Sequence, residues 1–177
     1  MKRKSTCAGL LLSLLLCGNL AYGQDSPGAK PKKPRTPADY EPRTLKEVAA
    51  QGADAQSRGN KEETLIVHPD ILPSRVTVTY GGSTRPLPHS KKEVLRQWAR
   101  LYAGSPEGYT EPYETEMLFI EDGSEHWLAV RKKSVPHFER ELKRGDAVNL
   151  NLIRVGAVRA SDGWELMLLV ESFAKPN

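Results

Sequence analysis

Cysteine is nearly missing from this chain: Cys7 and Cys17 are the only two among its 177 residues. Both lie in an N-terminal segment that reads as removable, so no thiol is expected in the mature protein. That excludes disulfides, a cysteine nucleophile and thiolate metal sites, and leaves an ordinary apolar core as the source of stability. A membrane-length apolar run is lacking too. Leu10 to Leu16, interrupted by Ser13, falls short of the roughly 20 residues that a spanning helix needs. Catalytic frames are absent in the same way, with no Gly-x-Ser-x-Gly elbow, no His-Glu-x-x-His and no Gly-Lys-Ser/Thr phosphate loop. Nor is there a strong charge excess. The chain carries 26 Lys and Arg against 22 Asp and Glu; Lys2, Arg3 and Lys4 belong to the removable segment, which leaves 23 against 22. A nearly neutral chain exerts no pull on phosphate backbones, so no nucleic-acid partner is expected.

What is present begins with the address. Residues 1–23 read as a secretory signal peptide: Lys2-Arg3-Lys4, then the short apolar run, then Ala21-Tyr22-Gly23 with small residues where a signal peptidase reads. Gln24 is the expected new N-terminus, and the protein is expected to be exported, periplasmic or secreted, with no transmembrane segment after cleavage. A lipid anchor at Cys17 is the alternative. It is disfavoured because Leu16 precedes the cysteine, where lipidation calls for Gly, Ala or Ser.

Residues 24–43 hold five prolines and several Lys and Arg, and read as a disordered, solvated tether. Residues 44–60 read as a short frayed helix or linker, opened by the capping-box pattern Thr44-Leu45-Lys46-Glu47 and weakened by Gly52, Ser57 and Gly59. Residues 61–177 form a single expected globular domain, since about 110 residues suffice for one core. Thr64 to Val67 is strand-like. Arg75 to Tyr80 alternates at period two, and Gly81-Gly82 reads as its end. Lys91 to Ala103 is the best helix, with Val94, Leu95, Trp98, Leu101 and Tyr102 on one face and a second capping box at Ser90-Lys91-Lys92-Glu93. Tyr113 to Glu121 and Glu125 to Lys132 form a hairpin through Asp122-Gly123. Pro136 to Leu142 is a short helix. Ala147 to Val155 and Trp164 to Phe173 are strands, the second apolar on both faces.

Trp127-Leu128-Ala129-Val130, a short helix, and then Glu141-Leu142-Lys143-Arg144-Gly145-Asp146-Ala147-Val148-Asn149-Leu150 carry a resemblance. This C-terminal third, some 60 residues, resembles uncharacterised exported bacterial proteins with a small OB-like or SH3-like barrel. The resemblance implies no site residues. The expected fold is α+β: a small, strongly bent antiparallel sheet, or an OB-like or SH3-like barrel, with one amphipathic helix and one short helix.

Candidate chemistry is thin. His68-Pro69-Asp70 matches a cochaperone tripeptide but follows a strand-like run and reads as a turn. Trp98, Trp127 and Trp164 sit in apolar patterns and read as core. Tyr102, Tyr109 and Tyr113 flank a Gly/Pro loop where rings could stack on a sugar or peptide. Glu114 and Glu116 are expected to share a strand face beside them. Tyr109, Tyr113, Glu114 and Glu116 are therefore the candidate ligand-binding residues; no catalytic residue, no metal ligand and no cofactor is expected. The expected function is a non-enzymatic binding or adaptor domain, with an envelope protein or glycan as partner. Two alternatives name residues: a hydrolase of envelope polysaccharide using carboxylates near Glu111, Glu114 and Glu116, and a metal-binding envelope protein using His126 with distant ligands.

The export reading predicts that protein recovered from outside the cytoplasm begins at Gln24. Intact-mass measurement checks this, and a mass carrying acyl chains on Cys17 would establish the lipoprotein instead.

Overall fold

In Arg75–Tyr80 every second residue is apolar, and the structure turns Val76, Val78 and Tyr80 inward while Arg75 and Thr77 stay in solvent. The computed structural model describes residues 35–51, 64–103, 108, 110–161 and 163–176. Expectations for the signal segment, for 24–34 and for 52–63 lie outside the described residues. Seven strands form one mixed sheet: β1 (Glu41–Pro42), β2 (Leu65–Val67), β3 (Ser74–Pro86), β4 (Thr115–Glu121), β5 (Ser124–Val130), β6 (Ala147–Ala160) and β7 (Gly163–Ala174). Among the described residues the α-helices are α1 (Leu45–Ala50), α2 (His89–Trp98) and α3 (Val135–Glu141). The fold class is α+β, as expected.

The glycine pair does not end β3. The strand runs on to Pro86, and its register against β4 shifts between Tyr80 and Thr84. Gly82 takes a φ of +72°, and a Cβ on Gly81 would lie 2.6 Å from Leu118 Cγ. Glycine here bends the strand through a bulge instead of stopping it. The bend gives β3 two neighbours. Ser74–Thr79 pair with β6, and Thr79, Tyr80 and Thr84–Pro86 pair with β4.

That double pairing closes a ring of five strands in the order β3-β4-β5-β7-β6 and back to β3. The expected all-antiparallel sheet is not observed. Strand direction cannot alternate all the way round a ring of five, so one junction must be parallel. It falls between β5 and β7, and covers only Ala129↔Leu169 and Val130↔Val170. Outside the ring, β1 adds a second parallel pairing on β3, and β2 pairs antiparallel with β6.

Two apolar layers result. Inside the ring, Val76, Val78, Met117, Phe119, Leu128, Val130, Val148, Leu150, Leu168 and Val170 pack together. α3 adds Phe138, stacked on Phe173 at 3.9 Å between ring centres, and α1 adds Leu45 and Val48. Outside it, α2 lays Val94, Leu95 and Trp98 over Ala129, Ile153, Met167 and Leu169. β7 is thus covered on both faces, as its sequence predicts. α2 starts at His89 behind Pro88, which makes no side-chain cap, so the capping box expected at Ser90 is not formed: Ser90 already lies inside the first turn. The box at Thr44 is formed, with Thr44 Oγ1 accepting from the Glu47 N–H and Glu47 Oε2 accepting from the Thr44 N–H.

Residues 35–43 do not form part of the expected tether. Pro37–Asp39 form a 3-10 turn, β1 pairs with β3, and Tyr40 is buried, its hydroxyl donating to Glu171 at 2.6 Å. Arg35 binds both oxygens of the same carboxylate. Proline content alone hides this, because a strand-edge proline needs no donor.

Gly156 of β6 is where β2 and α2 converge. A Cβ there would overlap the Ile66 carbonyl oxygen and lie 2.5 Å from Val94 Cγ1. Gly156→Ala should cost about 3 kcal/mol, the upper part of the overpacking range, because a backbone oxygen cannot step aside. Urea denaturation would show this as a lower midpoint at unchanged slope.

Candidate functional site

The sequence-derived candidates scatter. Tyr113 is 2% exposed and packs in the α2 layer; its hydroxyl accepts from Arg131 Nε at 3.1 Å. Glu116 is fully buried. It accepts from Lys91 Nζ and, at 2.7 Å, from Arg85 Nε. Glu114 is exposed and pairs with Lys132 Nζ at 2.8 Å, and that hydrogen bond holds its carboxyl below the usual range. The two carboxylates thus go to different cations, and neither Tyr113 nor Glu116 is presented to solvent. Tyr109 lies outside the described residues. Period-two counting misled here because α2 covers the outer face of β4 at Glu116, a contact made between elements far apart in the chain.

Among the described residues no three His, Cys, Asp or Glu side chains come together as a metal site would require. His126 is half-buried, and burial lowers its pKa, with Glu121 opposing. His68 is buried and held neutral: desolvation, then Arg154, brings its pKa to about 4 against the pull of Asp70.

The unusual ground is the junction of β5 and β7. Past Ala129 and Leu169 the ladder between them stops, and side chains take over. Lys91, 1% exposed at the start of α2, donates from Nζ to Glu116 on β4, to Glu165 Oε1 on β7 at 2.7 Å and to the Trp127 carbonyl on β5 at 3.4 Å. One ammonium ties three strands. Arg85 Nη2 comes within 3.5 Å of Glu165, and its guanidinium lies 4.3 Å from the Trp127 ring centre.

Beside this staple the seam opens into a groove of about 410 Å³. α1 contributes Leu45 and Ala49, β5 contributes Trp127 and Leu128, and β7 contributes Trp164, Leu166 and Leu168. Its rim carries Glu121, Asp122, Glu125, His126 and Glu165, with Lys46 as the cation among them. α1 is set over the seam by Glu121, whose carboxylate accepts from the Leu45 N–H at 2.8 Å and the Lys46 N–H at 3.2 Å. Trp127 and Trp164 are half-buried here, not core as expected; only Trp98 is buried. Each indole has an Arg over one face, Arg85 on Trp127 and Arg159 on Trp164 at 4.6 Å. The turn pair Asp122-Gly123 and the nearby Trp127 were visible in the sequence. Nothing there placed Trp164 opposite them, since the two meet only through ring closure.

No protein-family model matches this chain, and no curated protein matches it either.

Lys91→Ala should lower stability by about 3–5 kcal/mol, because it removes one partner of a buried pair. Glu114→Gln should leave the urea midpoint unchanged, since its ion pair lies in solvent. A neutral Lys91→Ala would show that the seam holds without the ammonium.

Proposed function

We propose that this protein is an exported, non-enzymatic binding domain whose ligand lies in the β5–β7 groove. The observation that carries the reading is the open seam itself: two half-buried indoles and an aliphatic floor between strands that stop pairing. Sites of this volume and lining hold ligands by apolar burial, with a few polar groups fixing orientation. Two of the three carboxylates of the hydrolase reading are tied into ion pairs, Glu114 with Lys132 and Glu116 with Lys91 and Arg85, while Glu111 is exposed, which favours binding over hydrolysis. The five-strand ring with its one parallel junction supports the OB-like of the two barrel forms, a partly open five-stranded ring. Export rests on the n-region, the apolar run and Ala21-Tyr22-Gly23.

A photo-crosslinking amino acid placed at Lys46, on the groove rim, should give a discrete adduct in cells that make the protein. The same group at exposed Lys133 should give none. Adducts of equal yield at both positions, or at neither, would sink the groove as the binding site.

A further inference from the structure

We infer that the groove receives an extended peptide segment that adds a strand to β5 and directs a Lys or Arg side chain toward Asp122 and Glu125. The inference rests on the groove reading above and names its ligand.

The first support is the edge of β5. A two-residue turn, Asp122-Gly123, closes the β4–β5 hairpin, with Glu121 opposite Ser124 as the hydrogen-bonded pair. Antiparallel pairs alternate from there, so Glu125, Trp127 and Ala129 aim their backbone groups away from β4. Two observations agree with that phase. Ala129 is the residue that reaches β7, and the Trp127 carbonyl is the one that Lys91 takes. With the Trp127 carbonyl taken by Lys91 and Ala129 paired with β7, the outward groups left for an added strand are the N–H and carbonyl of Glu125 and the N–H of Trp127.

The second support is charge. Four rim carboxylates line the groove beside Lys46, and the guanidiniums of Arg85 and Arg159 lie over its two indoles. Glu121 is engaged by the N–H groups of α1 and Glu165 by Lys91 and Arg85. Asp122 and Glu125 are exposed and make no ion pair among the described residues. A cation arriving in the groove would meet these two carboxylates, and the aliphatic stem of Lys or Arg could lie along the indoles. An acidic side chain at Asp122 and Glu125 would meet repulsion instead.

Random heptapeptides displayed on phage, selected against the full mature chain, test the inference. The selected peptides should carry Lys or Arg with apolar residues two positions away, the spacing of one strand face. A synthetic peptide of that consensus should bind about tenfold more weakly to the Asp122→Asn/Glu125→Gln double variant, and N-methylation of alternate backbone amides should abolish binding. Both substituted positions are exposed, and Asn suits the positive φ of 50° at position 122, so the variant keeps its turn. Enrichment of acidic peptides, or equal binding to the double variant, overturns the inference. If selection fails while the crosslinker at Lys46 still gives an adduct, the peptide falls and the groove stands. If both fail, the groove reading falls with it.

Discussion

A ring of five strands must contain a parallel junction, and the rest of this molecule is arranged around that one. Four junctions are antiparallel and extensive. The fifth, between β5 and β7, holds at two residue pairs. Its remaining length cannot be left as bare strand edge inside a small fold, because unmet backbone groups are costly when buried. α2 bridges the seam through Lys91, whose one ammonium is shared by the Glu165 and Glu116 side chains and the Trp127 carbonyl. α1 covers part of the other side, held by Glu121. What neither helix fills is the groove.

Burying charge to hold a seam is a specific solution more than a stabilising one. An ion pair taken out of water recovers little beyond its desolvation cost, but it fixes geometry, since a misplaced partner leaves a bare buried charge. The same logic recurs at Arg154, whose Nη1 donates to the Val48 carbonyl in the last turn of α1 at 3.3 Å. Burial lowers its pKa, and its charge also helps to keep His68 neutral. A cation at a helix C-terminus is favourably placed. α1 is thus held at both ends by charged side chains from the ring, Glu121 at its start and Arg154 at its finish. A six-residue helix would be marginal alone.

The local elements were legible. Alternation located β3, β6 and β7; Asp122-Gly123 located the hairpin; the apolar face of Val94, Leu95 and Trp98 located α2; Thr44 and Glu47 located the start of α1. These follow from forces acting over a few residues: side-chain period, turn conformations and caps. The errors share a different cause. Gly81-Gly82 looks like a stop and is a bend, because whether a glycine ends a strand depends on the neighbour that continues the ladder. Residues 35–43 look like tether in the sequence because their partner, Glu171, lies 131 positions from Tyr40.

The candidate site divides along the same line. The sequence by itself determined the apolar faces, the hairpin turn with its acidic pair, and the lack of catalytic frames. Only the tertiary structure decided which polar residues stay accessible. Glu116 and Tyr113 are buried because α2 crosses back over the ring, while Trp127 and Trp164 are opened because β5 and β7 diverge. Exposure of a side chain is settled by what packs against it from elsewhere in the chain, and closing a ring of five strands is a constraint that no local stretch of residues carries.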